Sequence, residues 1–192
     1  MPAIITEQKM NLETRQIVRD IIVVFKKEKE GNFELPSDLN KGEEFYNFST
    51  IKNPFNIELD LIVDAGVPDY DVDADYYRDE DIIVITIITN PEMNSSSLYE
   101  LVGELNEIVR HELEHVKQFE RGYDFPKEPR GRLNYYLQPH EIEAQKAGFR
   151  RRAKLENKDL ESVIRGWFSR NITKHRLKPH QVEFLIKRLL EK

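Results

Sequence analysis

The sequence predicts an α+β fold with an N-terminal helix, a small and mainly antiparallel sheet, and a helical C-terminal part. Three observations predict it. Apolar residues recur with a helical period over 11–30. Two segments, 57–63 and 82–89, alternate in polarity or are dense in β-branched residues, as strands are. From residue 97 onward the helical period returns and continues almost to the C terminus.

The predicted sheet follows the first helix, which should end before Gly31. Residues 33–56 carry Gly, Pro, Asn and Ser among scattered aromatics, and predict loops with at most one short strand. Residues 69–81 contain six Asp and predict an acidic turn. We therefore expect strands 57–63 and 82–89 to pair antiparallel, with that turn as their connection.

A long and largely buried helix comes next. Ser97 and Glu100 fit a capping box, in which both side chains satisfy free backbone N–H groups at a helix start. Gly122 is a natural C-cap, and apolar residues keep the helical period between these ends. This helix carries the motif on which the functional prediction depends.

The remaining elements are also predicted to be helical. Residues 125–138 contain two prolines and a glycine and predict a loop. Pro139 then begins a helix that runs to about residue 157. Two shorter helices follow Asp159 and Pro179, each with its acidic cap or proline at the start.

Composition narrows the classes of function. The chain of 192 residues is 39% hydrophobic and 33% charged, as a folded, soluble protein can be, and it has no Cys. Thiol nucleophiles, disulfides and thiolate metal sites are therefore excluded. The longest apolar run, 21–25, is far shorter than the ~20 residues of a membrane span, and the first residues lack the plan of a signal peptide. We expect a cytoplasmic protein.

Charge is distributed unevenly along the chain. Residues 1–143 carry 15 Lys and Arg against 30 Asp and Glu, a net charge of −15, whereas residues 144–192 carry 14 against 5, a net charge of +9. A basic quarter of this kind can bind nucleic acid or another acidic partner, or it can pack on the protein's own acidic body. We assign residues 1–158 to one domain and 159–192 to a basic helical extension packed on it.

A nucleic-acid surface in the basic quarter would use its cations for phosphate contacts. Trp167 and Phe168 could stack on bases, although a place in the core is the alternative for both. The cations concerned are Arg150, Arg151, Arg152, Lys154, Arg165, Arg170, Lys174, Arg176 and Lys178.

The long helix contains His111, Glu112 and His115 in an H-E-x-x-H pattern. Histidines four apart on a helix lie on one side, so both imidazoles can bind one Zn²⁺. Glu112 is turned away from them by about 100°, where it can take a proton from a water that the metal activates. The alternative is a pair of helical histidines satisfied by hydrogen bonds, beside glutamates that merely face solvent.

A catalytic zinc needs a third protein ligand and an open position. Metzincins supply it from a Gly and a third His after the motif; here Gln118 and Arg121 occupy those places, which excludes that class. The third ligand must come from farther along the chain.

At this point the sequence resembles the gluzincins, in particular short single-domain forms such as the ImmA/IrrE-like group and metallopeptidase-like proteins of bacteriophages. The resemblance covers about 82–152 and implies a minimal zincin-like fold. It implies Glu141 as the third ligand, Ala144 as a small residue between the helices, and Gln145 as the residue that orients an imidazole. Helix phase favours Glu141 over Glu143, since Glu141, Ala144 and Gln145 share one face.

Further roles follow from the same resemblance. His140 could contact a substrate oxyanion, or could simply be exposed at a helix start. Tyr135 or Tyr136 could donate a hydrogen bond to the tetrahedral intermediate, or both could anchor their loop. Strand 82–89 is implied to be the edge strand that pairs with an extended peptide.

The resulting expectation is a zinc-dependent metallopeptidase. His111, His115 and Glu141 would bind Zn²⁺, Glu112 would act as general base and then as proton donor, and a protein or peptide would be the substrate. The alternative is a non-catalytic regulatory or nucleic-acid-associated protein, in which the metal site is vestigial and the basic quarter is the binding surface.

Overall fold

A computed structural model describes residues 6–30, 44–47, 55–125 and 131–191, and the description below refers to these residues. The strands are β1 (Glu44–Asn47), β2 (Asn56–Val63), β3 (Tyr70–Tyr77) and β4 (Ile82–Thr89). The helices are α1 (Glu7–Glu30), α2 (Ser95–Glu120), α3 (Arg132–Tyr136), α4 (Pro139–Glu156), α5 (Leu160–His175) and α6 (Pro179–Leu190). The expected α+β organisation, with an N-terminal helix and C-terminal helices, is confirmed.

The sheet is mixed, with strand order β1-β2-β4-β3. Strands β2 and β4 pair in parallel, so their predicted antiparallel pairing is wrong. The two other pairings, β1 with β2 and β3 with β4, are antiparallel. Strand β3 follows β2 along the chain but does not pair with it. The hairpin between β3 and β4 then places β4 between β2 and β3, where β4 runs parallel to β2.

The predicted acidic turn over 69–81 is also wrong, because most of it is strand β3. Tyr70, Val72, Ala74 and Tyr76 alternate with aspartates, and these four pack against the hydrophobic core while the aspartates lie on the other face. Aspartate is disfavoured in strands, which hides this period of two in the sequence. Residues 78–81 form the turn that leads into β4.

Helix α2 begins before the predicted capping box. The side chain of Asn94 accepts hydrogen bonds from the backbone N–H groups of Ser96 and Ser97, so Asn94 is the N-cap and Ser97 lies inside the helix. The choice could not be made from the sequence, since Asn94 and the three serines that follow are all good cap residues.

Helices α2 and α4 pack closely against each other. Ala144 is fully buried on α4, and a Cβ on Gly148 would lie 2.7 Å from the backbone oxygen of Glu107 on α2. Any larger side chain at Gly148 would push the helices apart. This small-residue contact brings polar side chains of the two helices within reach of each other.

Two hydrophobic clusters lie on either side of this helix pair. The first is formed by the sheet, α1 and one face of α2. The second is formed by residues of α3, α4, α5 and α6, so it spans the expected division at residue 158. Phe168 is buried in the second cluster, and Trp167 packs against Phe149 and Phe168.

The predicted loop over 125–138 contains the short helix α3 in its described part. Among the described helices, none combines the length and the low polarity that crossing a membrane would require.

Candidate metal centre

The two histidines of the motif meet on the side of α2 that faces α4. Their Nε2 atoms lie 2.9 Å apart. Two nitrogens bound to one tetrahedral zinc at 2.0–2.1 Å would lie about 3.3 Å apart. A small change in the side-chain torsions of His111 and His115 therefore suffices for both to bind one ion.

Helix α4 brings Glu141 to the same point. Its Oε2 lies 3.6 Å from His111 Nε2, and its Oε1 lies 3.5 Å from His115 Nε2. Glu141 is buried, and Pro139 at the first position of α4 sets the start of the helix two residues before it. Two imidazoles and one carboxylate at these separations fit a divalent cation with His₂Glu ligation.

Glu112 is the second carboxylate beside the histidines. Its Oε1 lies 3.7 Å from His111 Nε2, and the possible ligand atoms of His111, Glu112 and His115 all lie within 4.8 Å of one another. The carboxylate accepts a hydrogen bond from the backbone N–H of Tyr76 on β3. Glu141 lies near both imidazoles and Glu112 is tied to β3, so the geometry favours Glu141 as the ligand and leaves Glu112 beside it.

Burial shifts the pKa values of these groups toward their neutral forms. Burial, and then the charges of Glu141, Asp75 and Asp73, raise the pKa of Glu112 well above its usual range. Burial, and then His115, lower the pKa of His111 well below its usual range. Burial lowers the pKa of His115 to about 4 against the opposing effect of its hydrogen bond with Gln118. Both imidazoles are therefore neutral at pH 7, which is the form that binds metals.

Gln118 is the residue that orients an imidazole, and the sequence analysis missed this role. Its Oε1 lies 2.9 Å from His115 Nδ1, while its Nε2 donates to the carbonyl of His140 and to Glu143 Oε2, both at 3.0 Å. With its amide nitrogen engaged in this way, Gln118 presents its oxygen to the ring. His115 must then donate from Nδ1, which leaves the Nε2 lone pair for a metal.

Gln145, which was expected to orient an imidazole, makes no such contact. It is buried, and its Nε2 has no hydrogen-bond partner among the described residues. One turn of helix separates it from Glu141, so it shares the face of α4 that looks toward α2. The signal for Gln118 was its position three residues after His115 on the same helix.

Tyr135 and Tyr136 contact different parts of the site. Burial, then the charge of Glu141 and a hydrogen bond to it, raise the pKa of Tyr135; the phenol donates to this carboxylate. Tyr136 is buried in the second hydrophobic cluster, where its ring packs against Trp167. Tyr135 is therefore placed to orient Glu141.

His140 is buried, in contrast to the exposed position that was one expectation for it. Its Nε2 lies 3.4 Å from Glu141 Oε1, and the hydroxyl of Tyr123 lies 3.5 Å from its Nδ1. The ring packs against Phe125, over which Arg78 places its guanidinium 4.9 Å from the ring centroid. Burial, and then the charge of Arg78, lower the pKa of His140.

These groups line a cavity of about 510 Å³. One wall is β3, another is α2, and α4 and Tyr135 close the side that holds Glu141. Trp167 and Phe149 also line it. Strand β4 pairs on both sides, with β2 and β3, so its predicted position at the edge of the sheet is wrong. Among the described strands, β3 lies at the edge beside the cavity.

Part of the basic quarter is structural. Arg151 is buried and donates two hydrogen bonds to Asn106, and Arg152 is buried against Glu107 and Glu156. On the surface, Arg165 pairs with Glu161 and Glu183, and Arg188 with Glu191. Arg151 and Arg152 therefore do not belong to an accessible phosphate-binding surface.

In comparisons with family models, with curated proteins and with solved structures, nothing matches this chain.

Proposed function

We propose that the protein is a zinc-dependent peptidase. His111, His115 and Glu141 bind Zn²⁺, and Glu112 transfers a proton from the attacking water to the leaving amine. The observation that supports this most is the convergence of two neutral imidazoles and one buried carboxylate, with a second carboxylate beside them, in the wall of an open cavity. A purely structural cluster would not need the second carboxylate or access from the cavity.

The ligand set fits zinc because two nitrogens and one carboxylate leave a fourth position open in tetrahedral geometry. When bound, zinc would supply a water that is acidic at neutral pH and would polarise the peptide carbonyl. The chain's own contribution is the orientation of the ligands. Gln118 fixes the tautomer of His115, and Tyr135 donates to Glu141.

Glu112 is the proposed general base. It lies beside the imidazoles without sharing the position of Glu141, and the Tyr76 N–H holds its carboxylate toward the cavity. It takes a proton from the attacking water and returns it to the leaving amine. His140, at 3.4 Å from Glu141, is the group we assign to contact the developing oxyanion.

Replacing Glu112 with glutamine separates metal binding from catalysis. Glutamine keeps the shape and can accept the hydrogen bond from Tyr76, but it cannot take a proton. We expect E112Q to bind one zinc as the wild type does and to lose about 10²- to 10⁴-fold in peptide turnover. Zinc content by elemental analysis and cleavage of a mixed peptide library by mass spectrometry measure the two properties.

Glu120→Gln is the matched control, since this exposed residue lies on the same helix outside the cavity. It should keep both zinc and turnover. Turnover in E112Q at the wild-type rate would contradict the assignment of Glu112, and a wild type without bound zinc would contradict the proposed site.

A further inference from the structure

The outer edge of β3 borders the cavity, and no other described strand pairs with it. In an antiparallel pair, alternate residues direct their N–H and C=O groups away from the partner strand. Tyr76 is one of these, because its N–H donates to Glu112 on α2. Ala74 and Val72, two and four residues before it, must therefore also point their N–H groups away from β4.

Carboxylates cap these outward donors. The N–H of Val72 donates to Asp71 Oδ1 at 3.0 Å, and the N–H of Ala74 donates to Asp73 Oδ1 at 3.1 Å. With Glu112 on the N–H of Tyr76, three successive donors of the open edge are bonded to acids. An extended peptide that added to β3 would need these donors for its own carbonyls.

The surroundings of this edge are negatively charged. Asp71, Asp73 and Asp75 share the face of β3 that points away from the core, and Asp73 and Asp75 are exposed. Asp73 and Asp75 line the same cavity as Glu112 and Glu141. A positively charged ligand would therefore be favoured here over a neutral or acidic one.

A second observation indicates that the cavity accepts a ligand with a hydrogen-bond acceptor. Gln145 lines the same cavity, is 7% exposed, and has an Nε2 donor without a partner among the described residues. Leaving a buried donor unsatisfied is costly. A peptide carbonyl lying in the cavity would satisfy it.

We propose that Asp71 and Asp73 occupy the backbone donors at the edge of β3 and thereby select extended peptides with basic residues at alternate positions. This inference deepens the proposed function, on which it rests. Residues of a strand added to β3 that lie opposite Asp71, Asp73 and Asp75 are two apart and on the same face. Their cationic side chains pair with the carboxylates, draw them from the backbone N–H groups, and free these donors for the carbonyls of the peptide.

The same arrangement disfavours other peptides. A neutral peptide gains no ion pair in return for displacing the carboxylates, and an acidic peptide is repelled by them. Until a basic peptide arrives, the capped donors also keep the edge from pairing with strands of other molecules.

The test measures binding, so that it does not depend on turnover. Fluorescent heptapeptides in which threonine alternates with lysine, glutamine or glutamate are titrated into full-length E112Q, and anisotropy gives the dissociation constants. We expect the lysine peptide to bind about tenfold more tightly than the glutamine peptide. The glutamate peptide should bind most weakly of the three, and the preference for lysine should shrink at 0.5 M salt.

In a variant that also carries Asp71→Ala and Asp73→Ala, the lysine and glutamine peptides should bind within about threefold of each other. The glutamine peptide should bind more tightly than it binds E112Q, because the competing carboxylates are gone. Asp79→Asn is the matched control: this exposed acid lies in the turn after β3 and should leave the preference for lysine unchanged. Circular dichroism melting shows that each variant is folded.

Equal binding of the three peptides to E112Q, or binding of none, would overturn the inference. So would a lysine preference that survives removal of both aspartates. Failure of the proposed function would look different, because zinc content and cleavage by the wild type report on it alone. A zinc-bound wild type that cleaves peptides with no preference for basic residues would support the proposed function and would contradict the proposed role of Asp71 and Asp73.

Discussion

The interface between α2 and α4 has two halves that handle buried polar groups differently. In the arginine half, Arg151 donates to Asn106 Oδ1 at 3.1 and 2.8 Å, and Arg152 bonds Glu107 at 2.7 Å. In the histidine half, His111, His115, Gln118 and Glu141 converge, with Glu112 beside them. The same two helices carry both halves. Glu107 and His111 are about one turn apart on α2, and Glu141 and Arg152 are about three turns apart on α4.

The two halves differ in the source of the positive charge that compensates their buried carboxylates. In the arginine half, Glu107 pairs with Arg152 on the facing helix. Glu112 is instead surrounded by the charges of Glu141, Asp75 and Asp73, all of the same sign as its own. We infer that the arginine half holds the helices together and that the histidine half is completed by a cation from outside the chain.

Arg152→Ala should have the largest effect on folding. It removes the partner of buried Glu107 and the contact of its Nε with Glu156, and leaving a buried acid unpaired costs about 3–5 kcal/mol. Urea unfolding with zinc removed measures the change. Arg165→Ala is the control, since its ion pairs are exposed and should contribute less than about 1 kcal/mol. Equal losses in the two variants would remove the distinction between buried and exposed pairs.

Gln118→Ala should have the next largest effect. It should lower the affinity for zinc, whereas the contacts of the arginine half should be unchanged. Without the amide oxygen at His115 Nδ1, the imidazole loses its fixed tautomer, and zinc affinity should fall about 10- to 100-fold. Gln145→Ala should change the zinc affinity by less than about threefold, because Gln145 Nε2 has no hydrogen-bond partner among the described residues. Competition with a chelating dye measures both. A larger loss in Gln145→Ala would restore the assignment made from the sequence.

The smallest effect concerns pH. Burial raises the pKa of Glu156, but hydrogen bonds from Lys158 and Arg152 outweigh it and hold the pKa below its usual value. The stabilisation is therefore present above about pH 4.5 and is lost as the pH falls through the lowered pKa. Glu156→Gln should make the stability less steeply dependent on pH below 4.5 in urea titrations. An unchanged slope would contradict a role for this carboxylate in the arginine half.

Much of the fold follows from local signals in the sequence. The amphipathic period predicts α1 and α2, Pro139 and Pro179 begin α4 and α6, and alternation predicts β2. The direction of β4 relative to β2 does not follow, because it depends on β3, whose three aspartates conceal a strand. Pairing direction is set by where the chain crosses the sheet, which residue periodicity does not encode.

The candidate site divides in a similar way. The spacing of His111 and His115 fixes their convergence, since residues four apart on a helix share a side. That Glu141 lies beside them depends on the approach of α4, for which the resemblance was the only guide. The role of Gln118 was indicated only by its position three residues after His115, and the contact itself depends on side-chain torsions that the sequence does not give. The role of the Tyr76 N–H could not be foreseen, because it depends on the position of an unrecognised strand.

The most direct test of the account is a zinc titration of the wild type and Glu141→Ala, followed by calorimetry and thermal melting. We expect one zinc per wild-type chain, a melting temperature that rises with zinc and falls on chelation, and much weaker binding in Glu141→Ala. A wild type that binds no zinc, or a Glu141→Ala variant that binds it equally well, would contradict the proposal that α2 and α4 share one metal ion.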